Sequence, residues 1–253
     1  MTDATTTSTL PDRTPQRVRH TLRFRALTVQ AVQRVTPHLV RVTLGGDDLE
    51  GFTSPGFDDH VKLFFPDPAT GALALPTAGP EGPIWPAGRP TMRDYTPRHY
   101  DAAAGTLDID FALHQAGPAT RWAEQAAPGQ RLGVGGPRGS FIVPTAFDWH
   151  LLIGDDTALP AISRRLAELP ADARAIVLAE VDSAADQIEL PSKANVEITW
   201  VHRDKAAGTT PPLLAALHAA RLPTGAFHAW IGCESADAKL LRAHLIDECR
   251  ANP

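Results

Sequence analysis

Arg93-Asp94-Tyr95-Thr96-Pro97-Arg98 sets a cation, an aromatic ring and a hydroxyl side by side. The alternating run Leu107-Asp108-Ile109-Asp110-Phe111-Ala112-Leu113-His114 follows it, with the period of two expected of a half-buried strand. Residues 101–105, Asp-Ala-Ala-Ala-Gly, make a turn between them. Two adjoining strands are therefore predicted, Arg93 to Tyr100 and Thr106 to His114. On the first, Arg93 can meet a phosphate, Tyr95 can stack on an isoalloxazine, and Thr96 can hydrogen-bond a flavin edge. Taken alone, these residues describe an ordinary barrel strand better than a binding site.

The neighbours shift that balance. Upstream, His20 to Val35, Leu39 to Leu44 and His60 to Phe65 read as further strands, the last stopped by Pro66. Residues 66–90 form a Pro- and Gly-rich connection too long for a hairpin, expected to be a flap or mobile excursion. Downstream, Gly117-Pro118-Ala119-Thr120 opens a short helix with proline in its first turn. Backbone N–H groups at such a start suit a pyrophosphate, although Thr120 could equally serve as a cap. Arg131 to Gly135 supplies a last strand before Gly136-Pro137-Arg138-Gly139-Ser140. Many short strands separated by turns indicate an antiparallel β-barrel.

After Trp149 the pattern changes. Strands Trp149 to Gly154, Ala175 to Val181, Val196 to Val201 and Phe227 to Ile231 alternate with helical stretches at Thr157 to Leu169, Leu213 to Ala220 and Ala236 to Arg250. Such alternation predicts a parallel α/β sheet. The expected division is a disordered arm over 1–17, a flavin-binding barrel over 18–146 and an α/β nucleotide-binding-type domain over 147–253. The length of 253 residues accommodates both domains, and the 43% hydrophobic share is ample for two cores.

A net charge of −5 argues against a general nucleic-acid binder. No apolar run reaches the length of a membrane span, and the N-terminus lacks the pattern of a signal peptide. Cys233 and Cys249 show no CxxC or zinc-ligand spacing. A reduced, cytoplasmic protein is expected, monomeric by default.

Gly154-Asp155-Asp156-Thr157-Ala158-Leu159-Pro160-Ala161 follows the first α/β strand, where a nicotinamide nucleotide would lie. Its two carboxylates would repel a phosphate, so the loop suits the nicotinamide or flavin end, or Asp155 or Asp156 merely caps the helix. Arg203 stands where a cation could read a 2′-phosphate and favour NADPH over NADH; a solvated loop arginine fits as well. His114 could bond a flavin phosphate or ribityl oxygen, or be a satisfied strand-end histidine. Cys233 reads better as a small buried hydrophobe than as a nicotinamide neighbour. No Ser-His-Asp or HExxH arrangement is evident, so no catalytic residue and no protein-held metal is expected.

These segments together resemble the siderophore-interacting proteins, FAD-dependent ferric-siderophore reductases of the ferredoxin–NADP reductase superfamily. The likeness runs through His60-Val61-Lys62-Leu63, Arg93 to Arg98, Asp108 to His114, Gly117 to Ala123, Gly136 to Ser140 and Gly154 to Ala161, with looser matches at Trp200 to Arg203 and Trp230-Ile231-Gly232. It implies a flavin strand of Arg93, Tyr95 and Thr96, a pyrophosphate turn of His114, Gly117, Pro118, Ala119 and Thr120, and a turn beneath the flavin at Asp156, Thr157 and Ala158. Lys62, Arg138 and Arg242 become candidates for a basic patch receiving an anionic ferric siderophore. Members commonly continue into a tail carrying Gly-Tyr-Trp, whereas this sequence ends Ala251-Asn252-Pro253.

The implied reaction is chemically sound. Hard oxygen ligands hold Fe(III) far more tightly than Fe(II), so one electron releases iron and spares the chelator. The expected donor is NADPH or NADH, with ferredoxin as the alternative. A reductase of the same fold acting on another acceptor, and a non-catalytic siderophore-binding protein, are the competing readings.

Overall fold

A computed structural model describes residues 12–85, 89–113, 117–205 and 209–249. Its first half is built from eleven strands among these residues. They are β1 (Gln16–Arg19), β2 (Phe24–Thr36), β3 (Leu39–Gly45), β4 (Val61–Phe64), β5 (Thr77–Gly79), β6 (Gly82–Ile84), β7 (Met92–Tyr95), β8 (Pro97–Asp101), β9 (Thr106–Ala112), β10 (Arg131–Gly135) and β11 (Gly139–Ile142). Seven of them form an antiparallel sheet in the order β7-β4-β10-β2-β3-β9-β8. Val40, Val42 and Leu44 on β3 and Leu107, Ile109 and Phe111 on β9 all enter one core, so the alternation in the sequence is the inward face of this sheet.

The outer strands, β7 and β8, are consecutive in the chain and separated by Thr96 alone. The sheet therefore curls until its two edges meet at that residue. This corrects the expectation of one strand from Arg93 to Tyr100: β7 pairs with β4, and β8 pairs with β9. The break falls where a pre-proline residue meets a proline that has no N–H to donate.

The N-terminal arm also needs correction. Gln16–Arg19, partly assigned to a disordered arm, forms β1 on β11. Its four residues are all exposed, so ladder hydrogen bonds rather than burial hold it, and no apolar pattern marks it. Arg13 Nη2 then meets Asp148 Oδ1 at 2.8 Å. Within 66–90, β5 and β6 form a small hairpin.

The second half is a parallel sheet in the order β14-β13-β12-β15, from β12 (Trp149–Gly154), β13 (Arg174–Val181), β14 (Asn195–His202) and β15 (Phe227–Gly232). Strand β12 is buried at all six positions, as a central strand covered on both faces must be. Ile162 and Leu166 of α2 (Leu159–Glu168) pack on Leu152, Val177 and Val181. The opposite face, with Leu151, Ile153 and Leu178, receives Leu213 and Leu217 of α3 (Pro212–Ala219) and Leu241 and Leu245 of α4 (Ser235–Asp247). In the first half, α1 (Pro118–Glu124) lays Ala119 and Ala123 on the curled sheet. Among the described residues no helix is long and apolar enough to cross a membrane.

Helix α2 joins the halves. Arg164 donates to Ser54 Oγ at 2.9 Å, Ser54 O at 2.7 Å and Pro97 O at 3.0 Å. Arg165 reaches Val143 O at 3.0 Å and Pro144 O at 2.6 Å, with its guanidinium 5.2 Å from the Phe57 ring centroid. Arg98 Nη2 donates to Ser163 Oγ at 2.5 Å. Trp230 of β15 completes the seam, edge-on to Phe57 at 5.7 Å and donating through Nε1 to Asp58 Oδ2 at 3.3 Å.

Candidate functional site

Where the sheet edges meet, a cavity of about 430 Å³ opens between the two halves. Arg93, Tyr95 and Thr96 form one wall, Gly117 to Thr120 another, and Thr157 with Pro160 approaches from the α/β side. Three segments far apart in sequence thus converge. His60, Asp110 and Ala112 also line it. Two of them leave a faint trace in the sequence: an aspartate amid the buried alternation of β9, and a histidine just before β4.

The chemistry of the walls follows from local structure. Strand alternation turns Arg93 and Tyr95 to the same side of β7. The Tyr95 ring lies 4.6 Å from Phe111, which continues to Trp122 at 5.6 Å. Burial pushes the Tyr95 hydroxyl up to about 12 despite the opposing charge of Arg93, so it stays a donor. Gly117 is the N-cap of α1 and Pro118 takes the first turn; no side chain caps this end, and first-turn N–H groups have no acceptor within a helix. Asp110, only 4% exposed, is neutralised by a two-pronged pair from Arg41 at 2.7 and 2.8 Å. Arg93 donates to the carbonyl of Met92, and among the described residues it has no carboxylate partner. A flat aromatic wall, an unpaired guanidinium and a glycine-opened helix start suit a flavin nucleotide.

Not every expected residue joins this cavity. Thr157 does, its N and Oγ1 both bonded to Asp155 Oδ1 at 2.9 and 2.5 Å. Asp156 instead accepts from Arg203 Nη1 at 2.9 Å. Ala158 is buried beneath the ends of β12 and β15, where a side chain on Gly154 would collide with its Cβ. His114 lies outside the described residues.

A second crevice, of about 770 Å³, lies at the carboxyl ends of the parallel strands. Asp155, Glu180, Asp182, Glu234 and Asp237 line it against Arg203 and His38. Arg203 is not waiting for a phosphate: it donates to Glu180 Oε1 at 2.8 Å, to Asp156 and to Asp182. Burial alone would lower its pKa, but those partners raise it. A phosphate in this crevice would face five carboxylates, and the expected 2′-phosphate contact is not offered by a free cation. Cys233 also lines it, and burial pushes its thiol up to about 11, leaving it unreactive at neutral pH.

The basic candidates separate too. Lys62 and Arg138 line one further cavity, of about 480 Å³, that shares His60 and Asp94 with the first. Lys62 pairs with Asp94 across the strands at 2.6 Å; Arg138 is exposed and has no ion-pair partner among the described residues. Arg242 sits on α4 and lines none of these three cavities.

Residues 28–141 match the family model of the siderophore-interacting FAD-binding domain, and residues 147–253 match that of the siderophore-interacting protein. The NADPH-dependent ferric-chelate reductase of Escherichia coli is 42% identical over 233 residues, spanning 90% of this chain and 89% of that protein. The ferric vibriobactin reductase of Vibrio cholerae is 39% identical over 76% of this chain and 71% of its own length. The crystal structure of a siderophore utilization protein from T. fusca superposes with a TM-score of 0.86 at 45% identity, covering 92% of this chain and 89% of the other. That of the siderophore-interacting protein SipS from Aeromonas hydrophila gives 0.73 at 32% identity, covering 91% and 93%. The curled antiparallel sheet lies in the first matched segment and the four-stranded parallel sheet in the second, and the chain belongs to the siderophore-interacting, FAD-binding family of the ferredoxin reductase-like superfamily.

Proposed function

We propose that this chain is an oxidoreductase that uses bound FAD to reduce ferric siderophores, Fe(III) to Fe(II), and so releases their iron in the cytoplasm. The observation that carries the reading is the shared wall of two cavities. Strand β7 turns Arg93 and Tyr95 toward the cavity between the two halves and Met92 toward the one holding Lys62 and Arg138. Residues 18–146 act as the flavin domain and 147–253 as the nucleotide-binding-type domain, in a monomer.

Bound FAD supplies the conversion of a donor's hydride into single electrons. The chain's own part is positional. Arg93 and the N–H groups after Gly117 hold phosphate charge, Tyr95 covers the ring and Thr96 bonds its edge. Thr157 approaches from the α/β side. Lys62 and Arg138 draw an anionic chelate to the adjoining cavity. Each hydride oxidised reduces two ferric chelates, and Fe(II) leaves because its hard oxygen ligands bind it weakly.

The donor in this reading is NADPH or NADH, with ferredoxin as the alternative; the name of the E. coli relative gives NADPH for that protein. Because the crevice is acidic, the KM for NADPH is expected to fall as salt screens the carboxylates. Anaerobic turnover with a ferric siderophore and a ferrous trap tests the whole reading. Rapid flavin reduction without an Fe(II) signal would refute the chelate as substrate; reduction by ferredoxin but not by NAD(P)H would refute the donor.

A further inference from the structure

Helix α3 connects β14 to β15 and α4 leaves β15, and both cover the same face of the parallel sheet. Each therefore runs against the strands, and their carboxyl ends lie side by side. The last turn of each carries one histidine, His218 on α3 and His244 on α4. The two rings stand 4.5 Å apart between centroids, tilted by 57°. His218 is exposed and His244 half-buried. Among the described residues neither imidazole takes part in a hydrogen bond or an ion pair. Carbonyls without partners give each helix end a partial negative charge, so two such ends meet at this pair. Asp247 and Glu248, both exposed, close α4 just after His244. Arg221, exposed just beyond α3, opposes their field with a single charge; Arg242, two positions before His244, points to the far side of its helix.

We infer that His218 and His244 together form a surface site for a divalent transition-metal ion that prefers imidazole nitrogen, such as Zn(II) or Ni(II). Two nitrogens bound to one ion at about 2.0–2.1 Å bring their ring centroids to roughly 5 Å. The observed spacing is close to that, so a small rotation of the side chains closes the pair on an ion. Among the described residues no third histidine, cysteine or carboxylate joins them. Water fills the remaining positions, and the ion exchanges readily. Fe(II) ranks below Ni(II) and Cu(II) at a nitrogen site, so the site does not retain the iron that the proposed reaction frees. A bound ion ties α3 to α4 beside Leu217 and Leu245, which cover the sheet. The spacing in sequence conceals the pair, because the two histidines come from helices on either side of β15.

Zinc chloride and nickel chloride, titrated calorimetrically into the tag-free, flavin-loaded chain, test the site. His218→Gln, His244→Gln and the double variant are titrated alongside, and the flavin absorbance of each reports that its fold is intact. Each single substitution is expected to lower affinity for Zn(II) at least tenfold. The double variant should lose no more than either single one, because chelation needs both rings and its two halves are not additive. Zn(II) should also raise the Tm of the unsubstituted chain, since an ion that binds only the folded state stabilises it, and leave the Tm of the single variants unmoved. Single variants that bind Zn(II) as tightly as the unsubstituted chain place the ion at another of the ten histidines and overturn the inference. Losses that add in the double variant, as two separate one-nitrogen sites would give, overturn it too, as does an unsubstituted chain that binds neither ion. The reductase reading is untouched by any of these results, because neither histidine lines the cavity between the two halves.

Discussion

Arg203 Nη1 donates to Asp156 Oδ2 at 2.9 Å, fastening the loop after β12 to the end of β14. The same guanidinium engages Glu180 and Asp182, so three carboxylates converge on one cation. Removing it leaves them facing one another with little solvent around Asp156 and Glu180, whose side chains are 10% and 12% exposed. Breaking a buried ion pair costs roughly 3–5 kcal/mol. With Arg203 itself 30% exposed, screening brings the expected loss for Arg203→Ala to about 2 kcal/mol. Urea unfolding of the flavin-free protein measures it. A loss below about 0.5 kcal/mol would show that the cluster is held elsewhere.

Tyr95 has two duties that its variants should separate. Its ring packs on Phe111 at 4.6 Å and also walls the cavity between the two halves. Tyr95→Ala is expected to weaken FAD retention by about tenfold, ~1.4 kcal/mol, the scale of an aromatic contact and its burial. Tyr95→Phe should retain FAD nearly as well, because it keeps the ring. Flavin occupancy after gel filtration reads the difference; unchanged occupancy in Tyr95→Ala would remove Tyr95 from the cofactor site.

These cases mark what the sequence can and cannot show. Strands β3 and β9 were legible from alternating burial, and β12 from an unbroken run that is buried at every position. Arg93, Tyr95, Thr96 and Gly117 to Thr120 were legible as residue types suited to phosphate and ring. Their meeting in one cavity was not, since it depends on the sheet curling until β7 and β8 adjoin at Thr96. Strand β1 was hidden because four exposed residues carry no burial pattern. Arg203 was misread because its partners lie 21 to 47 positions away. The interior arginines Arg164 and Arg165 were missed for a similar reason: their acceptors are mostly backbone carbonyls, which no side-chain pattern reveals.

A pair of histidines should make stability fall in mild acid. His150 and His228 lie 6.0 Å apart at the seam, beside Phe147 and under the charge of Arg165. Burial, with Arg165 adding to it, lowers each to about 4. Between about 4 and the ordinary histidine value near 6.5 the unfolded chain binds protons that the folded chain refuses. The stabilisation is therefore complete above about 6.5 and is lost as pH falls toward 4, a change on the order of a few kcal/mol for the pair. Carboxylates raised by burial, such as Glu168 and Glu180, act in the opposite sense, so the comparison needs a variant. His228→Gln should flatten the dependence of the urea midpoint on pH between 4 and 6.5. An identical slope would show that other groups carry the acid sensitivity.

Arg164 should affect the flavin without touching it. It donates to the carbonyl of Pro97 at 3.0 Å, and the next residue, Arg98, bonds Ser163. Both contacts tie the chain just after Thr96 to α2, so α2 fixes the point at which the curled sheet closes. Thr96 and Tyr95 line the cavity between the two halves; Arg164 does not. Charged hydrogen bonds of this kind contribute about 1.5–3 kcal/mol each when buried, and Arg164 is 12% exposed. Arg164→Ala is expected to weaken FAD retention about fivefold, ~1 kcal/mol, with a larger loss of thermal stability. Arg164→Lys should recover only part of both, because an ammonium cannot reproduce the planar fork that reaches Ser54 and Pro97 together. If Arg164→Ala lowers stability but leaves flavin affinity unchanged, the clamp holds the two halves together without setting the geometry of the site.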